Sequence, residues 1–248
     1  VPSPKILVFD IETSHNLMLA FDAYNPNPVN NIVEERNILT ASWKWLGDDK
    51  VYGAAVNAAT PRDDRAVLLA LAAAIIEADA VVAHYGDKFD MPYVRARMAI
   101  NNLPPLPRVK QIDTCKIAKG VFKFNSNRLD YLGHVFGLGR KKKIPAETWH
   151  YCVDMRLSKR KRKEAIDEMQ DYNMEDILLL EKVYGRLIPF VPNLMNWTKA
   201  FKDQRDVCPA CGGEHIQYRG VAIKQSKRYR RYQCQECGSW GTSNKSEK

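Results

Sequence analysis

The sequence lacks any stretch fit to cross a membrane. Its most apolar segment, Ala66 to Ala83, is broken by Glu77 and Asp79, whereas a spanning helix needs ~20 consecutive apolar residues. It also lacks the cysteine pattern of a secreted disulfide scaffold. Of six cysteines, four fall in two C-x-x-C pairs near the end, and Cys115 and Cys152 stand alone. That is a metal pattern plus two free thiols, suited to a reducing compartment. No secretory leader is visible, so an intracellular, cytoplasmic protein with no membrane partner is expected. Acid is the scarcer charge. Against 38 Lys and Arg stand 29 Asp and Glu, for a net charge of +9 and a pI near 9.2, which favours a polyanionic partner. No internal repeat is present. What remains is a chain of 248 residues, 45% apolar and 10% aromatic, enough for one large domain and a small module.

The scarce acid is concentrated at a few places. Ile6-Leu7-Val8-Phe9 is a continuous apolar run that reads as a buried central strand, and it leads into Asp10-Ile11-Glu12-Thr13. Strand side chains alternate with period two, so Asp10 and Glu12 project to one side. Two adjacent carboxylates at the end of an apolar strand repel each other and resist desolvation, and a divalent cation relieves both problems. Far along the chain, Tyr172 and Asp176 lie four apart in Tyr172-Asn173-Met174-Glu175-Asp176, on one face of a helix. A helical region is expected there from about Ser158 to Leu187, ended by Pro189 and Pro192. Asn173 also has the character of a cap that starts a fresh helix, with Asp176 in its first turn. Asp90 is placed as the N-cap of another helix, with Pro92 in the first turn and Val94 and Met98 on its buried stripe. Each acid alone has an ordinary structural reading, as a strand end, a cap or a first-turn residue. Converging from separate segments, they form a hard-oxygen cage for Mg²⁺ or Mn²⁺. Two such ions ~3.5–4 Å apart clamp a phosphodiester.

The rest of the chain supplies the frame. Asp22 to Asn37 is polar and rich in Asn and Pro, and is expected to be a loop. Ile38 to Trp45 and Val51 to Val56 read as strands joined by a turn at Gly47-Asp48-Asp49, with Trp43 and Trp45 packing into the core. Thr60-Pro61-Arg62-Asp63 has the chemistry of a helix start, and the helix is expected to reach about Ala78. Ala80 to Ala83 and Val109 to Asp113 are short strands, and helical turns follow around Leu129 to Gly133. Two basic runs, Arg140 to Lys143 and Lys159 to Lys163, are candidate nucleic-acid contacts. A strand meander followed by alternating strands and helices indicates a mixed α/β sheet covered by helices. The acids fall at strand ends and helix starts, where sites on such sheets collect.

Taken in order, Asp10-Ile11-Glu12-Thr13, Phe89-Asp90 and Tyr172-x-x-x-Asp176 resemble the DnaQ-like 3′–5′ exonuclease family, in its four-acid, tyrosine-containing (DEDDy) branch, over residues 4 to 190. Asp113-Thr114 and Leu129-Asp130-Tyr131-Leu132-Gly133 resemble intervening segments of that family. The resemblance implies a ribonuclease-H-like fold, a mixed five-stranded sheet flanked by helices. It also implies release of nucleoside 5′-monophosphates from 3′ ends. It gives Asp10 the role of bridging two Mg²⁺ or Mn²⁺ ions, and Glu12 and Asp176 that of completing the site of the ion that activates water. Asp90 is to support the second ion, Tyr172 to orient the attacking water, and Thr13 to contact the terminal nucleotide. Where the family often has Asn before the Phe-Asp pair, this chain has Tyr85, a candidate base-stacking residue. His15 is expected to be a loop residue, because this branch carries Tyr172 where its sister branch has histidine.

The end of the chain is a separate module. Cys208-x-x-Cys211 and Cys234-x-x-Cys237 are separated by 22 residues, which fits four thiolates around a structural Zn²⁺ and resembles a zinc ribbon. From Arg205 to Lys248 there are nine Lys and Arg against four Asp and Glu. Lys227, Arg228, Arg230 and Arg231 interleave with tyrosines, a composition suited to phosphate contact and base stacking. The expected organisation is an exonuclease domain over 1–190, a linker or packing helix over 191–205, and a nucleic-acid-binding zinc ribbon over 206–248. DNA is favoured as substrate. An exoribonuclease of the same architecture, or a nucleic-acid-binding protein on an inactive nuclease scaffold, are the alternatives.

Overall fold

The structure, a computed structural model, describes residues 4–19, 31–192, 206–224 and 226–247, with the side chains of Asn244 and Glu247 left aside. The expected linker over 191–205 lies, from residue 193 on, outside the described residues, as do residues 22–30 of the expected loop.

Strand β1 (Ile6–Thr13) lies at the centre of a five-stranded sheet. A short ribbon of β2 (Leu17–Met18) and β3 (Ile32–Glu34) follows it. Ile32 to Glu34 therefore belongs to a strand, where a loop is predicted, because pairing with Leu17 and Met18 supplies hydrogen bonds that polar composition alone does not reveal. β4 (Ile38–Trp45) pairs antiparallel with β1, and β5 (Tyr52–Ala55) antiparallel with β4. After helix α1 (Arg65–Glu77), β6 (Ala80–Ala83) lies parallel to β1. After α2 (Asp90–Ile100), β7 (Lys110–Asp113) lies parallel to β6. The order is β5-β4-β1-β6-β7, a mixed sheet. Helices α3 (Thr114–Val121), α4 (Leu129–Val135) and α5 (Glu147–Tyr151) lead to α6 (Lys159–Leu187), which packs against β1, β4 and β5. This is the ribonuclease-H-like α/β architecture.

The alternation of β1 divides the core. Leu7, Phe9 and Ile11 belong to one cluster with Leu68, Leu71 and Ile75 of α1 and Met91 and Val94 of α2. Val8 belongs to another with Val82, Leu132 of α4, and Ile177, Leu180 and Val183 of α6. Asp10 and Glu12 share Val8's side of the strand, and α6 crosses that side.

Two helix starts differ from expectation. Thr60 and Pro61 lie in a turn rather than at a helix N-terminus, and α1 begins at Arg65. The reason is Asp64, which is fully buried. Its carboxylate accepts from Ile38 N at 3.0 Å, from the Arg97 guanidinium at 2.7 and 3.0 Å, and from Asn101 Nδ2 at 3.0 Å. A buried anion with four hydrogen bonds from three residues fixes the chain there, and the helix starts after it. Asp90 is likewise not an N-cap. Phe89 occupies that position, without a side-chain cap hydrogen bond, and Asp90 is the first helical residue. Ser158, in contrast, caps α6 by accepting from Lys161 N. Helix α6 ends at Leu187, as predicted, and residues 188–190 form one 3₁₀ turn around Pro189.

In the second basic run only Arg162 is buried, and two of its exposed members have ion-pair partners on α6. Lys163 pairs with Asp167 at 2.7 Å and Arg160 with Glu164 at 3.4 Å, one helical turn away, and buried Arg162 donates to Ala58 O at 2.8 Å. The terminal module holds a second sheet of β8 (Ile216–Lys224), β9 (Lys227–Cys234) and β10 (Trp240–Glu247), in the order β10-β9-β8. Among the described residues, no helix is long and apolar enough to cross a membrane.

Candidate active site

Asp10 and Glu12 reach α6 at the point where it presents Tyr172, Asn173 and Asp176. Helix α6 is continuous through this motif, so Asn173 caps nothing. It is fully buried, donates from Nδ2 to Asp10 Oδ2 at 2.7 Å, and accepts from Thr40 Oγ1 of β4 at 3.2 Å. The amide thereby fixes the Asp10 carboxylate against both sheet and helix. Glu12 Oε2 accepts from Trp149 Nε1 of α5 at 3.1 Å, and the Trp149 ring meets Tyr172 edge-on, centroids 5.7 Å apart.

Oxygens of Asp10, Glu12 and Asp176 all lie within 4.8 Å of one another. Asp90 stands one step away. Buried at the start of α2, it accepts from Ile11 N at 3.2 Å and ties α2 to β1 beneath the cluster. Of the four predicted acids, three are brought together and the fourth buttresses the strand that carries two of them.

Such packing of carboxylates suppresses ionisation. Burial, then repulsion from Asp90 and Glu12, drives the Asp10 pKa well above the carboxylate range. Burial raises Glu12 and Asp90 each to about 7, and raises Asp176 as well. Among the described residues, one cation answers the charge. Lys141, from the loop after α4, sets its Nζ 2.6 Å from Asp176 Oδ2 and 4.9 Å from the centre of the Tyr172 ring. Burial works against its charge, but Asp176 and Asp10 outweigh burial and hold its pKa well above the usual lysine value. Its loop is anchored by Lys141 N donating to Asp130 Oδ1 at 3.0 Å. One lysine does not satisfy the cluster, because Asp176 Oδ1 is buried without a hydrogen-bond partner among the described residues. An unpartnered buried carboxylate oxygen facing two more carboxylates fits a hard divalent cation.

Two cavities flank the cluster. One, of about 450 Å³, is lined by Glu12, Thr13, Ser14, His15, Arg36 and Trp149 among others, and His15 is a loop residue on its wall. The other, of about 480 Å³, is lined by Tyr85, Lys119, Arg128, Asp130 and Lys141 among others. Tyr85 is half exposed, at φ +68°, with Lys119 Nζ 5.2 Å from its ring centre. Asp113 holds that loop. It accepts from Tyr85 N and Cys115 N at 2.9 Å each and caps α3. His84, whose Nδ1 lies 2.8 Å from Thr114 Oγ1, is lowered to about 4 by burial, and so is neutral at neutral pH.

Sequence reasoning missed the parts played by Asn173, Trp149 and Lys141. For Lys141 the signal was the basic run itself. Nothing local distinguished it from Lys142 and Lys143, because the Asp130 anchor that aims it acts across the loop.

In the terminal module, Cys208 and Cys237 Sγ are 3.4 Å apart and Cys211 and Cys234 Sγ 3.7 Å, with all four within 4.8 Å of one another. Tetrahedral Zn–S bonds of ~2.3 Å put sulfurs ~3.8 Å apart. Ala210 N and Glu236 N each point at the sulfur two residues back, at 3.4 Å. Gly212 and Gly238, immediately after each pair, take φ +73° and +77°, a conformation that side-chain-bearing residues resist. The cluster is compatible with a zinc ribbon.

Comparison with known proteins agrees with this geometry. A family B DNA polymerase from the hyperthermophilic archaeon Pyrobaculum calidifontis is similar, with a TM-score of 0.53 at 15% identity. The match covers 92% of this chain and 32% of the polymerase chain. At that identity the likeness shows the fold. No curated protein matches this sequence. The RNase_H superfamily profile matches residues 33–188, a span holding Asp90, Tyr172 and Asp176, while Asp10 and Glu12 lie just before it on the central strand. By this match and by its architecture, the chain belongs to the RNase_H superfamily.

Proposed function

We propose that this nucleic-acid nuclease is a metal-dependent 3′–5′ exonuclease that releases nucleoside 5′-monophosphates from DNA ends. The observation that carries this reading is the convergence of Asp10, Glu12 and Asp176, from β1 and α6, on one point where a buried carboxylate oxygen lacks a partner. When bound, Mg²⁺ or Mn²⁺ supplies Lewis-acid activation of water and charge stabilisation of the leaving oxygen. Asp10, Glu12 and Asp176 would hold these ions, with Asp90 in support. Tyr172, raised to about 12 by burial, stays protonated at working pH. It therefore orients the attacking water through its hydroxyl and does not act as a base. Lys141, held charged, places positive charge where an anionic phosphodiester must enter. The cavity beside Thr13 suits the terminal nucleotide, and the one beside Tyr85 the strand leading to it. The full set of acids argues against an inactive scaffold. The similar fold of a DNA polymerase favours DNA.

The test is a time course on 3′- and 5′-labelled DNA and RNA oligonucleotides, with Mg²⁺, Mn²⁺ or chelator. Shortening from the 3′ end with mononucleotide release, stopped by chelator, is the expected result. Faster RNA cleavage turns the reading to an exoribonuclease, and tight binding without cleavage overturns it.

A further inference from the structure

The terminal sheet has two unlike faces. In antiparallel strands, residues paired in register point to the same side. On one side stand Tyr232 and Cys234, both buried, with Tyr218, which pairs with Tyr232. Arg230 belongs there, its guanidinium 3.6 Å from the Tyr218 ring centre, as does Arg228, paired in register with Ile223. This side packs on the cysteine cluster through Tyr232 and Cys234, while Tyr218, Ile223, Arg228 and Arg230 stand exposed beside them. Tyr232 Oη donates to Val207 O at 2.8 Å beside the cysteine cluster.

The other side is open. Register and contacts give it Lys224, Lys227, Tyr229, Arg231 and Trp240. Lys224 Nζ reaches across β9 to donate to Thr242 Oγ1 at 2.8 Å, passing 6.0 Å from the Tyr229 ring centre. The Arg231 guanidinium lies 5.0 Å from the Trp240 ring centre, and its Nε donates to Arg219 O at 3.2 Å. Arg219 turns its guanidinium to Gln217 Oε1 on the same side, at 2.6 and 3.0 Å. Trp240 is 46% exposed. Among the described residues no Asp or Glu takes a register position on this side. Cations alternate there with exposed Trp240 and half-buried Tyr229 across three strands, and the described register positions place no Asp or Glu between them.

We propose that this face, built on Trp240, Tyr229, Arg231, Lys224 and Arg219, binds single-stranded nucleic acid. Bases stack on the two rings, and phosphates lie against the cations between them. Stacking requires bases that are not already paired, which excludes duplex as the preferred ligand. The structure thus splits the basic run: Arg231 and Lys227 serve this surface, while Arg228 and Arg230 do not. The proposal rests on the nuclease reading for why the protein holds a strand at all. It assigns the substrate class to single strands.

The test uses the full chain without added divalent cation, so that nothing is cut, and fluorescence anisotropy with labelled oligothymidylate or a duplex of equal length. Trp240→Ala and Arg231→Ala should each weaken single-strand binding by about tenfold. Arg231→Ala should also flatten the dependence of log affinity on log salt by ~0.7. Trp240→Phe should restore most of the affinity, and Arg230→Ala on the opposite face should change it less than about twofold. Zinc content of one per chain verifies that each variant keeps its module. Should Trp240→Ala lose its zinc, the double variant Lys224→Ala with Arg231→Ala decides on the same criteria. Wild-type affinity in a zinc-loaded Trp240 or Arg231 variant, an equal loss in Arg230→Ala, or duplex binding as tight as single-strand binding overturns the proposal. Loss of binding in a protein that cuts nothing in any assay refutes the nuclease reading alone. Cutting with binding indifferent to this face refutes the present proposal alone.

Discussion

Replacing Glu12 by Gln keeps the shape of the site and its Trp149 hydrogen bond, but removes a charge that the fold resists. Burial raises the Glu12 pKa from 4.5 to about 7. The native state therefore keeps a proton that the unfolded chain gives up, and native stability falls as pH climbs from 4.5 through 7. A shift of this size is worth ~3 kcal/mol at ~1.4 kcal/mol per pH unit. Without divalent cations, Glu12→Gln should match the wild type near pH 4.5 and exceed it by ~3 kcal/mol at pH 8. For a chain of this length that is a Tm difference of roughly 6–12 °C. Comparing the two proteins cancels titrations that do not feel Glu12, notably that of His84, whose lowered pKa acts in the opposite sense below pH 6.5. The assay is thermal unfolding from pH 4.5 to 8, repeated with Mn²⁺, which should raise the wild-type Tm at pH 8 well beyond that of the variant. A Tm difference that does not vary with pH, or equal Mn²⁺ stabilisation of both proteins, would refute the reasoning.

Asp10→Ala should cut metal-dependent cleavage by ~10³-fold or more while circular dichroism stays native, since the residue is proposed to bridge both ions; near wild-type rate would remove it from the site. Tyr172→Phe keeps the ring against Trp149, so stability should change by less than ~1 kcal/mol while kcat falls and KM stays near its value; a pH profile that gains or loses a limb between pH 6 and 9 would instead make the tyrosine a proton carrier. Cys208→Ser should abolish zinc binding and expose the terminal sheet to limited proteolysis, leaving residues 4–190 protected; a protease-resistant, zinc-free module would show that its hydrophobic packing suffices.

What the sequence determined follows from local rules. The apolar run before Asp10 could only be a buried central strand, and period two then put Asp10 and Glu12 on one side. The 3.6-residue repeat made Tyr172 and Asp176 neighbours on a helix, and the doubled C-x-x-C with its following glycines specified a four-sulfur cluster. These signals are written in spacing, so they survive without coordinates. Tertiary structure decided what spacing cannot carry. It made Asn173 a clamp on Asp10, because α6 runs on beneath it and Thr40 is waiting on β4. It moved the start of α1 from Thr60 to Arg65, because Asp64 found its partners on β4 and α2. It aimed Lys141 at Asp176 through an anchor on Asp130. It also divided Arg230 from Arg231, chemically identical neighbours, by the pleat of β9 and the strands on either side. In each case the deciding partner lies far away in sequence, and only the packed chain brings it within hydrogen-bond or ring-contact distance.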